Sequence, residues 1–309
     1  MPGKQIQQHG NDYHVPVLFE ETLDLLDIKP DGVYVDCTFG GGGHSRGILQ
    51  RLGDKGALVA FDQDVDARKN LPDDKRVLFV PENFRYLQRF LRLHGYDKVD
   101  GVLADLGVSS HQFDEGERGF SIRFDGPLDM RMNQNQPVKA DGILRRYDAD
   151  QLQNIFSQYG EVTNARTLAR HIVQARDKAQ LHTIEDFRNL LQPVVMGNPN
   201  KYLAQVFQAL RIEVNDEMGA LREMLQQIPE VLDIGGRAAI ITFHSLEDRM
   251  AKTFFKEETL EKKIENPFVQ ETTTKKLRVI TKKPVVPSAT EQKQNTRSRS
   301  AKLRVAERI

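Results

Sequence analysis

Residues 35–47 read VDCTFGGGGHSRG, and this stretch decides the fold. The run Val33–Asp36, which overlaps its start, is β-branched and aromatic, as is typical of a strand. Residues 45–52, after the glycines, carry apolar side chains at helical spacing. Glycine between a strand and a helix indicates a tight turn that another group can approach closely. The stretch therefore predicts a β–loop–α unit whose loop either holds a ligand or is only a glycine-rich turn.

Two phosphate-binding patterns can be tested against the spacing of this loop. A P-loop requires lysine after its last glycine, but Ile48 follows Gly47. The dinucleotide pattern G-x-G-x-x-G, counted from Gly40, has Ser45 where its third glycine belongs. A loop built like a nucleotide site without either pattern favours a ligand that contains adenosine and no phosphate. S-adenosylmethionine is the obvious candidate.

The composition of the 309 residues excludes several classes of protein. No apolar run approaches the roughly 18 residues of a membrane span, and the polar start is unlike a signal peptide. We therefore expect a cytoplasmic protein without a membrane partner. The single cysteine, Cys37, excludes an internal disulfide framework and fits a reducing compartment. Because there is no CxxC pair and no HxxxH spacing, we expect no metal site.

The net charge is zero, but the charges are unevenly distributed. Residues 275–309 carry eleven Lys and Arg against two Glu, so this segment is +9 and the rest of the chain is −9. Such a segment could contact nucleic-acid phosphates, or it could be a solvated tail. The middle of the chain offers further cations for a phosphate-binding surface: Arg118, Arg123 and Arg131 in predicted loops, and Arg145, Arg146, Arg166, Arg170 and Arg176 in predicted helices.

Strand-like runs alternate with helical runs, which predicts an α/β fold with a mostly parallel, doubly wound, Rossmann-like sheet. The predicted strands are Val33–Cys37, Ala57–Asp62, Val77–Val80, Val99–Leu106 and, far downstream, Gly236–His244. A ligand of such a sheet lies beyond the carboxyl ends of its strands. Polar residues or glycine occur at all five ends: Asp36 with the glycine loop, Asp62, Asn83–Phe84, Asp105 and His244.

The strand pattern stops between the fourth and fifth strands. Four helices are predicted there: Asp148–Tyr159, Asn164–Ala175, Thr183–Leu191 and Lys201–Leu210. We therefore expect residues 1–113 and 207–309 to form one discontinuous domain, and residues 114–206 to form a helical insertion that recognises the substrate. After the insertion, the sequence predicts a helix over Asp216–Leu232, a break at Gly235–Gly236, and a late antiparallel pair from Lys276–Lys282 and Ala301–Ala306.

The polar strand ends suggest roles in binding and chemistry. Asp62 follows the second strand, where a carboxylate can accept hydrogen bonds from both ribose hydroxyls of an adenosine. Asp36 could orient the loop or meet an ammonium group, and Phe84 could pack on an adenine face or simply in the core. Asp105 could hold either the cofactor or a target amine.

The lone cysteine bears on the target atom. Methylation at carbon 5 of a pyrimidine needs a thiolate on the substrate side, but Cys37 belongs to the first strand, on the cofactor side. A base target is therefore an exocyclic nitrogen, whose delocalised lone pair needs hydrogen-bond acceptors and close alignment with the methyl group. Candidate catalytic residues are Ser109 and His244, with Asp105 as a further acceptor; the spacing does not choose among them.

Several motifs together resemble one family, the MraW family of bacterial small-subunit ribosomal RNA cytosine-N4 methyltransferases. The resemblance runs from His14 to Arg308. The motifs are His14-x-Pro16-Val17-Leu18, Thr38–Ser45, Asp105–Ser110, Arg118–Ser121, Asp125–Met132, Gln208–Asn215 and Phe243–Arg249. His111 and Ile122 depart from the family, which commonly has proline and phenylalanine there.

The resemblance implies a class I methyltransferase fold with a helical insertion, S-adenosylmethionine as cofactor, and a decoding-centre cytidine of 16S rRNA in the assembled small subunit as substrate. The cofactor contacts that it implies are Gly42, Gly43, His44, Asp62, Phe84, Asp105 and Gln112. A methyltransferase for another RNA or a small molecule, and a cofactor-sensing RNA-binding assembly factor, are the alternatives. The sequence is compatible with a monomer or a homodimer.

Overall fold

The Val33–Asp36 run forms an inner strand of a seven-stranded sheet in a computed structural model that describes residues 16–261 and 274–309. His14, the first residue of the quoted motifs, lies outside these residues. The strands are β1 (Val33–Asp36), β2 (Ala57–Phe61), β3 (Val77–Val80), β4 (Val99–Asp105), β5 (Leu232–Thr242), β6 (Leu277–Val279) and β7 (Lys302–Arg308).

The strand order across the sheet is β3-β2-β1-β4-β5-β7-β6. Strands β1 to β5 pair in parallel, and β7 pairs antiparallel to both β5 and β6. The order reverses between β1 and β4, where the connections leave towards opposite sides and a crevice opens. The predicted α/β architecture with a mostly parallel, doubly wound sheet, including the late antiparallel pair, is confirmed.

The described parts of the chain contain α1 (Phe19–Leu26), α2 (Gly43–Arg51), α3 (Leu87–Leu93), α4 (Ser110–Asp114), α5 (Ala140–Arg146), α6 (Ala149–Gln158), α7 (Ala165–Ala175), α8 (Ile184–Leu191), α9 (Pro199–Asn215), α10 (Glu217–Val231), α11 (Ser245–Glu257) and α12 (Ala289–Gln294). Within these parts, no helix has the length and apolar character needed to span a bilayer.

Both faces of the sheet are covered, because successive residues of a strand point to opposite sides. In β4, Val102 joins a core formed with α3, α10 and α11, whereas Leu103 joins a second core formed with α1 and α2. Both side chains are fully buried. Burial on two faces explains why the strands read as continuous apolar runs with their polar residues at the ends.

The strand β5 begins earlier than the sequence predicts. It starts at Leu232, directly after α10, and its pairing with β4 jumps from Val99↔Leu232 to Gly101↔Arg237. The intervening residues bulge out, and Gly235 has φ +79°. The glycine pair is therefore a bulge inside the strand, not the break before it, and the strand ends at Thr242, so that His244 lies beyond it.

The residues between β4 and α10 form helices with a hydrophobic cluster of their own. Side chains such as Leu152, Phe156, Leu168 and Phe187 are fully buried in it. The four predicted helices are present, with α9 continuing to Asn215, and the seven-residue α5 was not predicted.

Candidate functional site

A cleft of about 660 Å³ opens at the carboxyl ends of β1 to β5. Residues at or just beyond the ends of these five strands line it: Asp36 at the end of β1, Asp62 after β2, Phe84 after β3, Asp105 at the end of β4 and Phe243 after β5. Most of the predicted site residues line this cleft: Gly43, His44, Asp62, Phe84, Asp105, Ser109 and Gln112. Four of the five polar strand ends predicted from the sequence therefore meet in one place, and the fifth, His244, does not line the cleft.

The glycine loop crosses the floor of the cleft and turns into α2. Gly42 has φ +70°, a conformation that a side chain strains, and a Cβ on it would lie 2.9 Å from Phe39 Cζ. A Cβ on Gly43 would lie 2.3 Å from Pro16 Cγ. Gly42 is not among the residues that line the cleft, whereas Gly43 is. Glycine is required at both positions by the packing of the loop against its own neighbours.

Two aspartates hold the loop in this shape. Asp62 Oδ2 accepts the Gly40 N–H at 2.7 Å, and Asp62 Oδ1 accepts the Asp64 N–H at 2.8 Å. Burial raises the pKa of Asp62 to about 6, although these two hydrogen bonds act to lower it. Asp36 accepts the Ser45 hydroxyl at 2.7 Å, and burial raises the pKa of its carboxyl as well. Each oxygen of Asp62 has a second lone pair, so the carboxylate can also receive hydroxyl donors from the cleft.

His44 and Asp105 form a neutral pair beside the loop. Nε2 of His44 lies 3.2 Å from the Val17 carbonyl, which can only accept, so Nε2 carries the proton and Nδ1 a lone pair. Burial lowers the pKa of His44 to about 4. Burial, with the nearby charges of Asp36 and Glu247, raises the pKa of Asp105 to about 8. Oδ1 of Asp105 is buried and has no hydrogen-bond partner among the described residues.

Ser109 and Gln112 are bound to each other at the start of α4. The Ser109 hydroxyl accepts the Gln112 N–H, and the Gln112 side chain accepts the Ser109 N–H, each at 3.1 Å. Gln112 Nε2 donates to Asp64 at 2.7 Å. Arg118, also buried, donates to the same carboxylate at 2.7 Å. The polar groups of Gln112 are therefore engaged in shaping the cleft wall.

Phe84 closes the far end of the cleft. It opens a 3₁₀ turn after β3, capped by the Asn83 side chain, which accepts the Arg85 N–H at 2.9 Å. Phe84 is partly buried against the core that α10 completes, and Ala220 and Leu221 of that helix also line the cleft. An apolar slot of this kind suits a flat aromatic ligand.

His244 does not line the cleft. Its buried side chain caps α11, where Nδ1 accepts the Glu247 N–H at 3.4 Å. Glu247 and Glu217, which were not predicted as site residues, do line the cleft. Glu217 lies at the start of α10. The capping-box spacing of His244 and Glu247 was a local signal for the first of these. No local signal pointed to Glu217.

The cleft is acidic. Of the residues that the structure describes, nine Asp and Glu line it, against two Lys and Arg, namely Lys69 and Arg297. An acidic cleft repels a polyphosphate and attracts a ligand with ammonium and sulfonium charges. Within residues 16–261 and 274–309, two groups of His, Asp and Glu have ligand atoms close enough for a metal ion: Asp66, His111 and Glu115 at the exposed rim, and Glu217, His244 and Glu247 inside. The second group already holds the Arg211 guanidinium, on Glu217.

The basic C-terminal segment is largely part of the fold. Arg304 and Lys302 pair with Asp248, and Arg278 pairs with Glu307. Near the cleft mouth, Arg297 pairs with Asp114 and its guanidinium carbon lies 4.9 Å from the centre of the Phe113 ring. The segment is therefore neither a free tail nor, for most of its cations, a free phosphate-binding surface.

The arginines in the middle of the chain also fall into two groups, those paired inside the protein and those exposed on its surface. Arg118 is buried on Asp64, and Arg131 binds Asp129 at 2.7 Å together with two backbone carbonyls. Neither arginine therefore belongs to a free phosphate-binding surface, because its donors are used inside the protein. Arg166 and Arg170, in contrast, are exposed on one face of α7, with no ion pair to another described residue.

Comparison with known proteins gives one family. The model of the MraW methylase family matches residues 11–309. The chain is 52% identical over 306 residues to Ribosomal RNA small subunit methyltransferase H of Parabacteroides distasonis, covering 98% of this chain and all of that protein. It is 50% identical over 301 residues to the protein of the same name in Christiangramia forsetii, covering 96% and 98%.

Solved structures resemble the chain more distantly. An rRNA methylase of Streptococcus thermophilus aligns over 96% of this chain and 99% of that chain, with 10% identity and a TM-score of 0.41. Fibrillarin of Aeropyrum pernix, solved with S-adenosylmethionine, aligns over 90% and 67%, with 10% identity and a TM-score of 0.36. Family membership therefore rests on the family model and on the relatives found by sequence.

Proposed function

The chain belongs to the MraW methylase family, and we propose that it transfers the methyl group of S-adenosylmethionine to the N4 amine of a cytidine in the decoding centre of 16S rRNA. The observation that supports the proposal most directly is the acidic cleft, which joins a glycine loop without phosphate patterns to the unpartnered Oδ1 of Asp105 at the end of β4. The family match supports the reaction, and the names of the relatives support the RNA.

The residues of the cleft fit S-adenosylmethionine. Asp62 would receive the ribose hydroxyls, and Phe84 would pack on the adenine. The buried, unpartnered Oδ1 of Asp105 is an acceptor that lacks a donor, which the cofactor ammonium or the target amine can supply. Asp36, His44 and the glycine loop would enclose the amino-acid end. When bound, the cofactor supplies an electrophilic methyl group on a positively charged sulfur, and the surrounding carboxylates favour that charge.

The cysteine supports nitrogen as the methylated atom. Cys37 is buried, and burial together with the Asp36 charge raises the pKa of its thiol well above the usual value. A thiol held protonated cannot add to a pyrimidine ring as a thiolate. Cys37 is the only cysteine of the chain, so the covalent route to carbon 5 has no nucleophile.

The RNA would reach the cleft over the helical insertion. We propose that residues 1–113 and 207–309 bind the cofactor and that residues 114–206 recognise the substrate. The separate buried cluster supports a helical insertion. Because Phe207, Leu210 and Val214 of α9 also belong to that cluster, it favours an end of the insertion later than residue 206. Arg166 and Arg170 on α7, with Arg299 at the C-terminal segment, would contact phosphates. Arg297 would join them by exchanging its solvent-accessible pair with Asp114 for a phosphate. The acidic cleft receives an uncharged base that has been flipped out of its stack. The substrate is the assembled small subunit in the cytoplasm.

Transfer of a radiolabelled methyl group tests the proposal. Purified small subunits that lack this methylation, free 16S rRNA and transfer RNA are each incubated with enzyme and labelled cofactor, and the RNA is digested to nucleosides. Label in N4-methylcytidine from the subunits is the expected result. Label in another RNA only would favour a different methyltransferase, and subunit binding without label would favour an assembly factor.

A further inference from the structure

A cluster of buried charges lies at the end of β5, outside the cofactor loops. Arg211, near the end of α9, donates Nε and Nη2 to the two oxygens of Glu217 at 2.8 and 2.9 Å. Ligand atoms of Glu217, His244 and Glu247 all lie within 4.8 Å of one another. The side chains are between 3% and 18% exposed. Charges this deeply buried need a structural or chemical reason.

The position of the cluster assigns it to the target side of the cleft. The loops after β1, β2 and β3 supply the glycines, Asp62 and Phe84, so the cofactor occupies that half of the sheet. Glu217 and Glu247 line the other half, beyond β4 and β5. A base that approaches the methyl group from the open side meets these two carboxylates.

Methylation of an exocyclic amine releases a proton. As the nitrogen bonds to the methyl carbon, positive charge develops on the nitrogen, and a nearby carboxylate stabilises that charge. The methylated, protonated amine is a strong acid, so even a weakly basic carboxylate can take its proton if it is correctly placed. Position therefore matters more than basicity in choosing the acceptor.

The other polar groups on this side are less suited to accept the proton. The Ser109 hydroxyl is a neutral group that already accepts the Gln112 N–H. Asp105 is protonated at neutral pH, since its pKa is raised to about 8 by burial and by neighbouring carboxylates. One oxygen of Glu247 accepts the backbone N–H groups of Phe243 and His244, and the other lies 3.1 Å from His244 Nε2. Among the described residues, the carboxylate of Glu217 has hydrogen bonds only to Arg211, which occupies one edge of it.

We propose that Glu217 is the catalytic residue that binds the target amine and accepts its proton, with Arg211 as the positioning residue that fixes the carboxylate. The inference rests on the proposed function. The amine nitrogen forms the new bond to the methyl carbon, the carbon–sulfur bond breaks with its electron pair on sulfur, and one N4 proton moves to Glu217 and then to solvent. Atoms and charge balance, because a sulfonium is consumed and one proton is released.

The hydrogen bond from the target amine to Glu217 also explains why cytosine is selected. Cytosine presents an amine at carbon 4, which donates to a carboxylate, whereas uracil presents a carbonyl oxygen that a carboxylate repels. A site built around a buried acceptor rejects a base without the donor strongly, because the acceptor would stay unpaired. Glu217 therefore determines specificity as well as proton transfer.

The test compares two Glu→Gln variants on one helix. Glu217→Gln keeps the size of the side chain and an acceptor for Arg211. Glu223→Gln is the matched control, because Glu223 also binds an arginine through both oxygens, Arg85 at 2.7 and 2.9 Å, but does not line the cleft. Three quantities are measured for each: the kcat of methyl transfer to small subunits, the affinity for S-adenosylhomocysteine by calorimetry, and the relative binding of cytidine and uridine 5′-monophosphate by NMR.

We expect Glu217→Gln to lower kcat by about 100-fold or more, to leave S-adenosylhomocysteine affinity within about twofold, and to abolish the preference for cytidine monophosphate. Glu223→Gln should change none of the three. A kcat within threefold of the wild type, or a parallel loss of S-adenosylhomocysteine affinity, overturns the assignment. If Glu217→Gln fails to fold, Glu217→Asp, which keeps the charge but withdraws the carboxylate, should show the same loss of kcat and retain the cytidine preference.

Failure of the proposed function has a different signature. Wild-type enzyme that transfers no methyl group to subunits would refute the rRNA substrate, and the nucleotide-binding comparison would still decide whether Glu217 recognises the amine. Equal binding of the two nucleotides to the wild type would then overturn this inference.

Discussion

Asp105 Oδ2 lies 3.6 Å from His44 Nδ1, and burial drives the pKa values of the two groups in opposite directions, so that both are neutral near pH 7. The folded Asp105 keeps its proton up to about pH 8, whereas an unfolded aspartate loses it near pH 4. The folded His44 stays neutral down to about pH 4, whereas an unfolded histidine binds a proton near pH 6.5. This pair makes the stability of the free protein depend on pH.

The first prediction follows from the signs of these shifts. Between pH 4 and 6.5 the folded state holds one extra proton on Asp105, and the unfolded state holds one extra proton on His44. Their contributions to the pH dependence of stability therefore cancel in this range. Between pH 6.5 and 8 only the Asp105 contribution remains, and stability falls as pH rises, at about 1 kcal/mol per pH unit. Urea unfolding at a series of pH values measures this slope. Asp105→Asn should flatten it between pH 6.5 and 8, and an unchanged slope would contradict the raised pKa.

The second prediction concerns the ribose contact. Asp62→Ala should weaken S-adenosylhomocysteine binding at least tenfold, because two ribose hydroxyls lose their acceptor, at about 1–3 kcal/mol. The same change frees the Gly40 N–H, so thermal unfolding is recorded beside the calorimetry. Thr38→Val is the control for a disturbed loop, since it removes the hydroxyl that accepts the Asp105 N–H but not the ribose acceptor. Unchanged affinity in Asp62→Ala would refute the ribose assignment.

The third prediction concerns two glycines with positive φ. It separates the effect of backbone strain on stability from the effect of cleft shape on cofactor affinity. Gly42 has φ +70° and no room for a Cβ, whereas Gly95 has φ +85° and nothing within 4 Å of the added atom. Alanine at either position should lower stability by about 1 kcal/mol through strain. Only Gly42→Ala should also reduce cofactor affinity, since the Phe39 ring that bounds the cleft must move. Equal affinities in the two variants would show that the loop tolerates the shift.

The fourth prediction tests the RNA surface. Arg297→Ala with Arg299→Ala should raise KM for the small subunit and flatten its salt dependence, because two phosphate contacts are lost. Cofactor affinity should not change. Lys55→Ala with Lys75→Ala is the control, since these residues lie just before β2 and β3, at the amino ends of the strands, whereas the cleft lies at their carboxyl ends. If the arginine variant behaves like the lysine variant, α7 must carry the RNA instead.

The parts of the fold and site that are local in sequence could be predicted. A parallel strand buried on both faces is a continuous apolar run, and the turn after it needs glycine or a polar residue, so β1 to β4, Asp36, Asp62 and Asp105 were readable from sequence alone. The start of β5 was not, because pairing on both sides, with β4 and β7, outweighs the glycines that locally indicate a break.

The parts that depend on distant contacts could not be predicted. Glu217 enters the site because α9 and α10 return the chain to the end of β5, where Arg211 and Glu247 meet it. A sequence also does not distinguish a free arginine from a paired one. Arg118 is buried on Asp64, whereas Arg166 stays exposed, and nothing in their neighbouring residues separates the two.

The proposed function and the proposed role of Glu217 together place the cofactor at the ends of β1 to β3 and the target base at the ends of β4 and β5 of one cleft. A crystal structure with S-adenosylhomocysteine and cytidine 5′-monophosphate tests it most directly. The ribose hydroxyls of the adenosine are expected to contact Asp62, and the cytosine amine is expected within hydrogen-bonding distance of Glu217. A cytosine bound elsewhere while the cofactor product occupies the cleft, or a ribose without contact to Asp62, would contradict it.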